Sequence, residues 1–214
     1  MKNRKDQLIA LADRFRETEV LVVGDLMVDR YIWGKVERIS QEAPVLVVEQ
    51  TDESKRPGGA GNVARNLISL GAKVSVCSVV GDDDSGRLLL RMLEELGADT
   101  SGVLIDRSRP TTEKTRVIAH SQQVVRIDHE TRDLISPAYQ EGLAAHMRSR
   151  LERSHGVIIS DYAKGTVCPT LFACIEDGYQ RGILGVGKVP VLVDPKAPNF
   201  SLYTRATVLK PNRS

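Results

Sequence analysis

Three stretches of this sequence combine residue types able to hold a polyol or a phosphate. The first is Gly24-Asp25-Leu26-Met27-Val28-Asp29. A carboxylate accepts hydrogen bonds well, and two vicinal hydroxyls can donate to a single one. A turn that caps the next element is the competing reading of these residues. The second stretch runs from Pro57-Gly58-Gly59-Ala60-Gly61-Asn62 through Val63, Ala64, Arg65 and Asn66 into a helix. Its glycines let a ligand approach the backbone closely, and a helix N-terminus favours anionic groups. Asn62 adds an amide that both donates and accepts. Gly59, Gly61 and Ala64 also match the dinucleotide pattern GxGxxA, which should directly follow a buried strand. Here the charged stretch Thr51–Arg56 precedes it, so a dinucleotide site is disfavoured, while a loop that serves only helix–sheet packing stays open. In the third, Asp161 with Lys164, and Asp194 with Lys196, each follow a short apolar run. A lysine so placed would neutralise phosphate charge as it develops during transfer; a plain surface lysine is the alternative.

The elements that must position these residues follow from hydrophobic patterning. Val20-Leu21-Val22-Val23-Gly24 is a short continuous apolar run, suited to a strand buried on both faces. Val74–Val80, Gly156–Ser160, Val191–Val193 and Ala206–Leu209 resemble it. Helical stretches separate most of these runs, at about 59–70, 84–96, 137–152 and 168–181. Strand alternating with helix is the pattern of a doubly wound, mostly parallel α/β sheet. Residues 5–17 carry Leu8, Ile9, Leu11, Ala12 and Phe15 at helical spacing, which predicts an opening amphipathic helix. Segments within about 31–50 and 102–128 break the alternation and read as antiparallel strands of a small inserted sheet, with Ser121-Gln122 as a hairpin turn. A sheet that small must cover something or pair with a second copy. The whole of 1–214 is read as one domain.

Composition narrows the class further. The net charge of +2 and the scattered basic residues argue against a nucleic-acid partner. The charged N-terminus is no signal peptide, and no apolar run reaches the roughly 20 residues a membrane helix needs. Cys77, Cys168 and Cys174 form no CxxC pair and read as reduced structural thiols of a cytoplasmic protein. His120, His129, His146 and His155 show no ligand spacing; they read as surface or strand-end residues, and no metal site is predicted.

The series GDLMVDRYIWG, ISQEAPV and RPGGAGNVARNL is similar to PfkB/ribokinase-type sugar kinases, most closely the heptose-7-phosphate kinase domain of ADP-heptose synthases. The resemblance continues in order through GDDDSGRLL, TTEKTRVIA, VVRIDHE, ISDYAKG, VDPK and LKPNRS, and so spans essentially the whole chain. It implies a ribokinase-like α/β fold with a β lid, and ATP and Mg²⁺ as cosubstrates of the complete enzyme. Asp29 matches the aspartate that binds sugar hydroxyls, and Gly58, Gly59 and Asn62 match the glycine-rich sugar contact. Ser40, Gln41 and Glu42 lie in the stretch that shapes substrate preference. Lys114 and Arg116 would contact the substrate phosphate, or else line a solvated strand face. Arg126 and Asp128 on the next strand would do the same, or else form a structural pair on one strand face. Asp161 and Lys164 join the substrate set, Asp194 and Lys196 the phosphate side, and Lys210 and Asn212 match the element that approaches the nucleotide phosphates.

The family pattern continues past this element with an acidic residue of the magnesium network and a glycine-rich loop ending in the aspartate general base. That base is therefore expected beyond Ser214. Losing a general base costs roughly 10²–10⁴-fold, so efficient catalysis is not expected from these residues alone. In a short chain the last strand would be an exposed edge and part of one sheet face would stay open. The expected function is phosphorylation of the anomeric hydroxyl of D-glycero-D-manno-heptose 7-phosphate, with a homodimer joined through the lid strands. The alternatives are a kinase of another sugar or sugar phosphate, and a non-catalytic sugar-binding or assembly module.

Overall fold

The computed structural model describes residues 3–185 and 187–212. In chain order the strands are β1 (Glu19–Gly24), β2 (Leu26–Ile39), β3 (Leu46–Gly59), β4 (Lys73–Gly81), β5 (Asp99–Asp106), β6 (Glu113–Ala119), β7 (Gln122–His129), β8 (Gly156–Ser160), β9 (Val191–Asp194) and β10 (Val208–Leu209). The helices are α1 (Arg4–Asp13), α2 (Ala60–Ser69), α3 (Asp84–Glu95), α4 (Pro137–Leu151) and α5 (Pro169–Gln180). Six strands form one sheet in the order β10-β9-β8-β1-β4-β5, with every neighbouring pair parallel. A parallel sheet needs helices on both faces, which is why its strands read as unbroken apolar runs. Leu21 and Val23 pack with Leu143, Met147 and Ile175 of α4 and α5, while Val22 packs with Ala60, Ala64, Leu89 and Leu93 of α2 and α3.

The helix starts are chemically marked. Asp83 caps α3 by accepting the Gly86 N–H at 2.7 Å, while α4 and α5 begin with Pro137 and Pro169, where a missing N–H is harmless.

The remaining strands form a smaller sheet in the order β3-β2-β6-β7. It differs from the sequence expectation in four ways, the first being that β2 and β6 pair parallel rather than antiparallel. Val103–Ile105 is not part of it: β5 pairs parallel with β4, Val103 packing toward α2 and α3 and Leu104 toward α4. Two-sided packing makes this an edge strand of the main sheet. The smaller sheet also starts at Leu26 rather than near Tyr31, one residue after β1 ends, and its β3 absorbs the charged stretch Thr51–Arg56. The turn between β6 and β7 is His120-Ser121, at φ 50° and 62°, one residue earlier than expected. Left-handed values at both central residues match the twist of a tight hairpin.

The opening helix forms but is not an embedded amphipathic element: Leu8, Ile9 and Leu11 are more than half exposed. β10 pairs with β9 over only two residues, and both are exposed. On the α2 side, Val20, Ile158 and Leu192 line an apolar hollow of about 210 Å³, so that part of the sheet face is incompletely covered. Among the described residues no helix is long and apolar enough to cross a membrane, and no group of three or more His, Cys, Asp or Glu could hold a metal ion.

Candidate functional site

β1 ends on Gly24, and the chain turns at Asp25 directly into β2. Asp25 is 1% exposed, and its carboxylate accepts three backbone N–H groups: Tyr162 at 2.8 Å, Lys164 at 3.1 Å and Thr166 at 3.1 Å. Its own N–H donates to the Ser160 carbonyl, and its carbonyl accepts the N–H of Ala60 at the start of α2. One residue thus pins the end of β8, the glycine-rich loop and the loop 161–166. Burial pushes its carboxyl above the usual range, against the pull of the Tyr162 and Lys164 amides.

Beside this clamp lies a cavity of about 500 Å³ between the two sheets. Asp29, Gly59, Asn62, Lys114, Arg116, Lys164 and Lys196 all line it. Seven of the residues singled out in the sequence therefore meet at one place. Side chains alternate across a strand, so Asp29 on β2 shares the inner face with Lys114 and Arg116 on β6 and with Arg126 and Asp128 on β7. Arg116 donates to Asp29 Oδ1 at 2.5 Å and lies 5.4 Å from the Tyr31 ring centroid. Gly58 has no room for a side chain because Asp29 Oδ2 occupies that space. Gly59 sits at φ 55°, where a Cβ would run into the Asp25 carbonyl. The glycine-rich loop is tight because Asp25 and Asp29 are packed against it.

Lys114 donates to Glu130 Oε2 at 3.0 Å and to Asp128 Oδ2 at 3.2 Å. Lys164 donates to Glu130 Oε1 at 2.6 Å, and Arg132 reaches the same oxygen at 3.3 Å. Burial alone would raise the Glu130 carboxyl, but the bonds from Lys164 and Lys114 outweigh it and hold it below the usual carboxylate range. Arg126 grips Asp128 through both oxygens, at 2.9 and 3.0 Å, as the structural pair expected.

Asp161 does not line this cavity but borders an adjoining pocket of about 250 Å³ with Tyr162, Asp194, Lys196 and Asn212. It is 3% exposed, and its oxygens accept from Ala163 N–H, Asn199 Nδ2 and the Tyr203 hydroxyl. Here Asp161 shapes the loop, holding Ala163 near its φ of 55°. A second hollow of about 470 Å³ shares Gly59, Asn62 and Tyr162 with the first and is bordered by Asp194, Lys210 and Asn212. Lys210 Nζ lies 3.8 Å from Asp194 Oδ1. Ser40, Gln41 and Glu42 lie at the far tip of β2 and β3, outside the lining of the cavity.

Glu130, Arg132, Tyr162, Ala163 and Pro198 also line the cavity without having been singled out in the sequence. A signal existed for the first two: Arg126, Asp128, Glu130 and Arg132 recur at every second residue, the period of one face of an extended chain. One other expectation needs correction. His146 is not at a surface or strand end; it lies within α4, half-buried, with Nε2 buried and unpartnered. The cysteines are buried and free as expected, and burial pushes the Cys77 thiol up to about 12.

Counting charges, six cationic side chains line the cavity against three carboxylates. An excess of positive charge beside a carboxylate is chemically suited to a polyol that carries an anionic group. A model of the pfkB family of carbohydrate kinases matches residues 17–214. The bifunctional protein HldE of Geobacter metallireducens is 48% identical over 198 residues, covering 92% of this chain and 39% of that protein. The bifunctional protein HldE of Wolinella succinogenes is 46% identical over 207 residues, covering 95% and 42%. The chain thus spans about two-fifths of the length of these relatives. Among solved structures, the tetrameric inhibited form of phosphofructokinase-2 from Escherichia coli superposes with a TM-score of 0.69 at 16% identity, over 92% of this chain and 61% of that one. The Arabidopsis thaliana ribokinase complexed with ribose and ATP gives 0.63 at 17% identity, over 91% and 60%. The fold is ribokinase-like. The chain belongs to the pfkB family of carbohydrate kinases.

Proposed function

We propose that this chain carries the sugar-binding part of an ATP-dependent kinase that phosphorylates the anomeric hydroxyl of D-glycero-D-manno-heptose 7-phosphate, in the synthesis of ADP-heptose for the lipopolysaccharide core. The observation that carries this reading is the pairing of Asp29, a hydroxyl acceptor, with an excess of cations around one cavity. A neutral sugar needs no such excess, whereas a sugar phosphate does. Asp29 would hold sugar hydroxyls with the backbone of Gly58 and Gly59 and the Asn62 amide, while Lys114, Arg116 and Lys164 would receive charge. The kinship with HldE proteins supports the heptose as the sugar.

The second hollow suits a nucleotide polyphosphate. Lys210 and Asn212 border it, and Lys196 stands at the edge of the first cavity. Asp194 fits magnesium, which on a nucleotide takes one or two carboxylates together with the phosphates. Bound there, MgATP would supply the phosphoryl group. Asp161, already satisfied by three donors, would act by shaping the loop that carries Lys164.

We further propose a homodimer joined through the smaller sheets. The face of β7 turned away from the cavity exposes Val125 by 46% and Ile127 by 57%. The proposed compartment is the cytoplasm, where sugar phosphates are made and where free thiols stay reduced.

The test is calorimetric titration with heptose 7-phosphate, comparing the wild-type chain with Asp29→Ala. Hydrogen bonds to a charged group contribute about 1.5–3 kcal/mol. The variant should therefore bind roughly 10- to 150-fold more weakly while remaining folded. Equal binding by both forms would remove Asp29 from the site and with it this reading.

A further inference from the structure

Glu130 is in an unusual position for a carboxylate. It receives Lys164 at 2.6 Å, Lys114 at 3.0 Å and Arg132 at 3.3 Å, more positive charge than one carboxylate can neutralise. Its two lysine partners come from different parts of the molecule, Lys114 from the smaller sheet and Lys164 from the loop after β8 of the main sheet. Both lysines are nearly buried, 12% and 10% exposed, so their ammonium groups form cavity wall rather than solvated surface. Glu130 itself lies just past the end of β7. The carboxylate thus sits where two sheets present their cations to each other.

We propose that Glu130 is a specificity-determining residue: its carboxylate is an internal stand-in for a ligand's anionic group between Lys114 and Lys164, and a bound phosphate displaces it. The inference rests on reading the cavity as the site of a phosphorylated ligand. A phosphate dianion carries more charge than the carboxylate and offers three acceptor oxygens, so it can take over both ammonium groups and Arg132. A neutral sugar has nothing to exchange and leaves the Glu130 contacts in place. The residue therefore sets a threshold: strongly anionic ligands enter, and weakly charged ones do not displace it.

The experiment compares wild type with Glu130→Gln, using inorganic phosphate and a neutral heptose as probes in calorimetry. Glutamine keeps the size and one acceptor but removes the competing charge. Phosphate should bind the variant at least about tenfold more tightly, since like-charge repulsion at a few ångströms in a partly buried site is removed. The neutral heptose should change less than about twofold, because its contacts lie elsewhere. Unchanged or weaker phosphate binding by the variant overturns the proposal, as does the absence of phosphate binding in both forms. A readout on the wild type alone guards against a variant that does not fold: saturating phosphate should shift the Glu130 side-chain carboxyl carbon resonance. A carboxyl resonance that stays in place under phosphate saturation also overturns it. If phosphate behaves as expected but heptose 7-phosphate binds no better than phosphate, Glu130 keeps its role and the proposed substrate falls.

Discussion

His146 shows how a residue with no chemical role can still govern pH behaviour. It stands in the middle of α4, and β5 carries Gly102 opposite it because the imidazole occupies the space a side chain would need. Burial, reinforced by Arg150 and opposed by Asp99, lowers its pKa below the ordinary 6.5. In the unfolded chain the ring takes its proton near that ordinary value, so in this window the unfolded state binds more protons than the native state. Stability is therefore retained above about pH 6.5 and lost as pH falls from there through the folded pKa. Thermal unfolding should show a lower midpoint at pH 5.5 than at pH 7.5, and His146→Gln should reduce that drop. An identical pH dependence in the variant would show that the imidazole is not the group responsible.

At the scale of elements, the site depends on connections made at strand ends rather than on any one strand. β1, α2 and the loop after β8 converge on Asp25, which accepts three backbone amides from within that loop. In Asp25→Asn an amide N–H₂ must face one of those donors. One buried N–H then loses its partner, at about 1–3 kcal/mol. Urea unfolding should register a loss of that size, together with weaker ligand binding because Lys164 is no longer held over the cavity. Undiminished stability would mean that the loop keeps its shape by other means, such as the Asp161 bonds to Asn199 and Tyr203.

The whole molecule is two sheets with opposite obligations. The main sheet is covered by helices over most of its area, with Val20 of β1 bordering one open hollow, whereas the smaller sheet turns one face toward the cavity and leaves apolar residues exposed on the other. The proposed dimer satisfies that second face. Sedimentation velocity should find the wild-type chain dimeric, and Val125→Glu with Ile127→Glu should yield monomers with an intact main sheet. A wild-type chain that sediments as a monomer at tens of micromolar would count against the dimer.

Much of this architecture is legible in the amino-acid order, because local physics decides it. An unbroken run such as Val20–Val23 suits a strand covered on both faces, and Gly58-Gly59 before Asn62 announces a close backbone approach at a helix start. The ordered motifs from Asp29 to Asn212 also sufficed to suggest the family. Which sheet a strand joins is different, since the partner is set by packing between distant segments. Val103–Ile105 is a run of three apolar residues that could join either sheet, and only contact with both helix layers assigns it to the main one. The same holds for roles within the site. Asp161 and Lys164 stand three residues apart in sequence, yet one is enclosed by Asn199 and Tyr203 while the other lines the cavity. The sequence alone determined most of the main-sheet strands and helices and the stock of charges. Tertiary structure decided which charges face one another, because a side chain's partners come from segments far along the chain, and a local pattern carries no record of them.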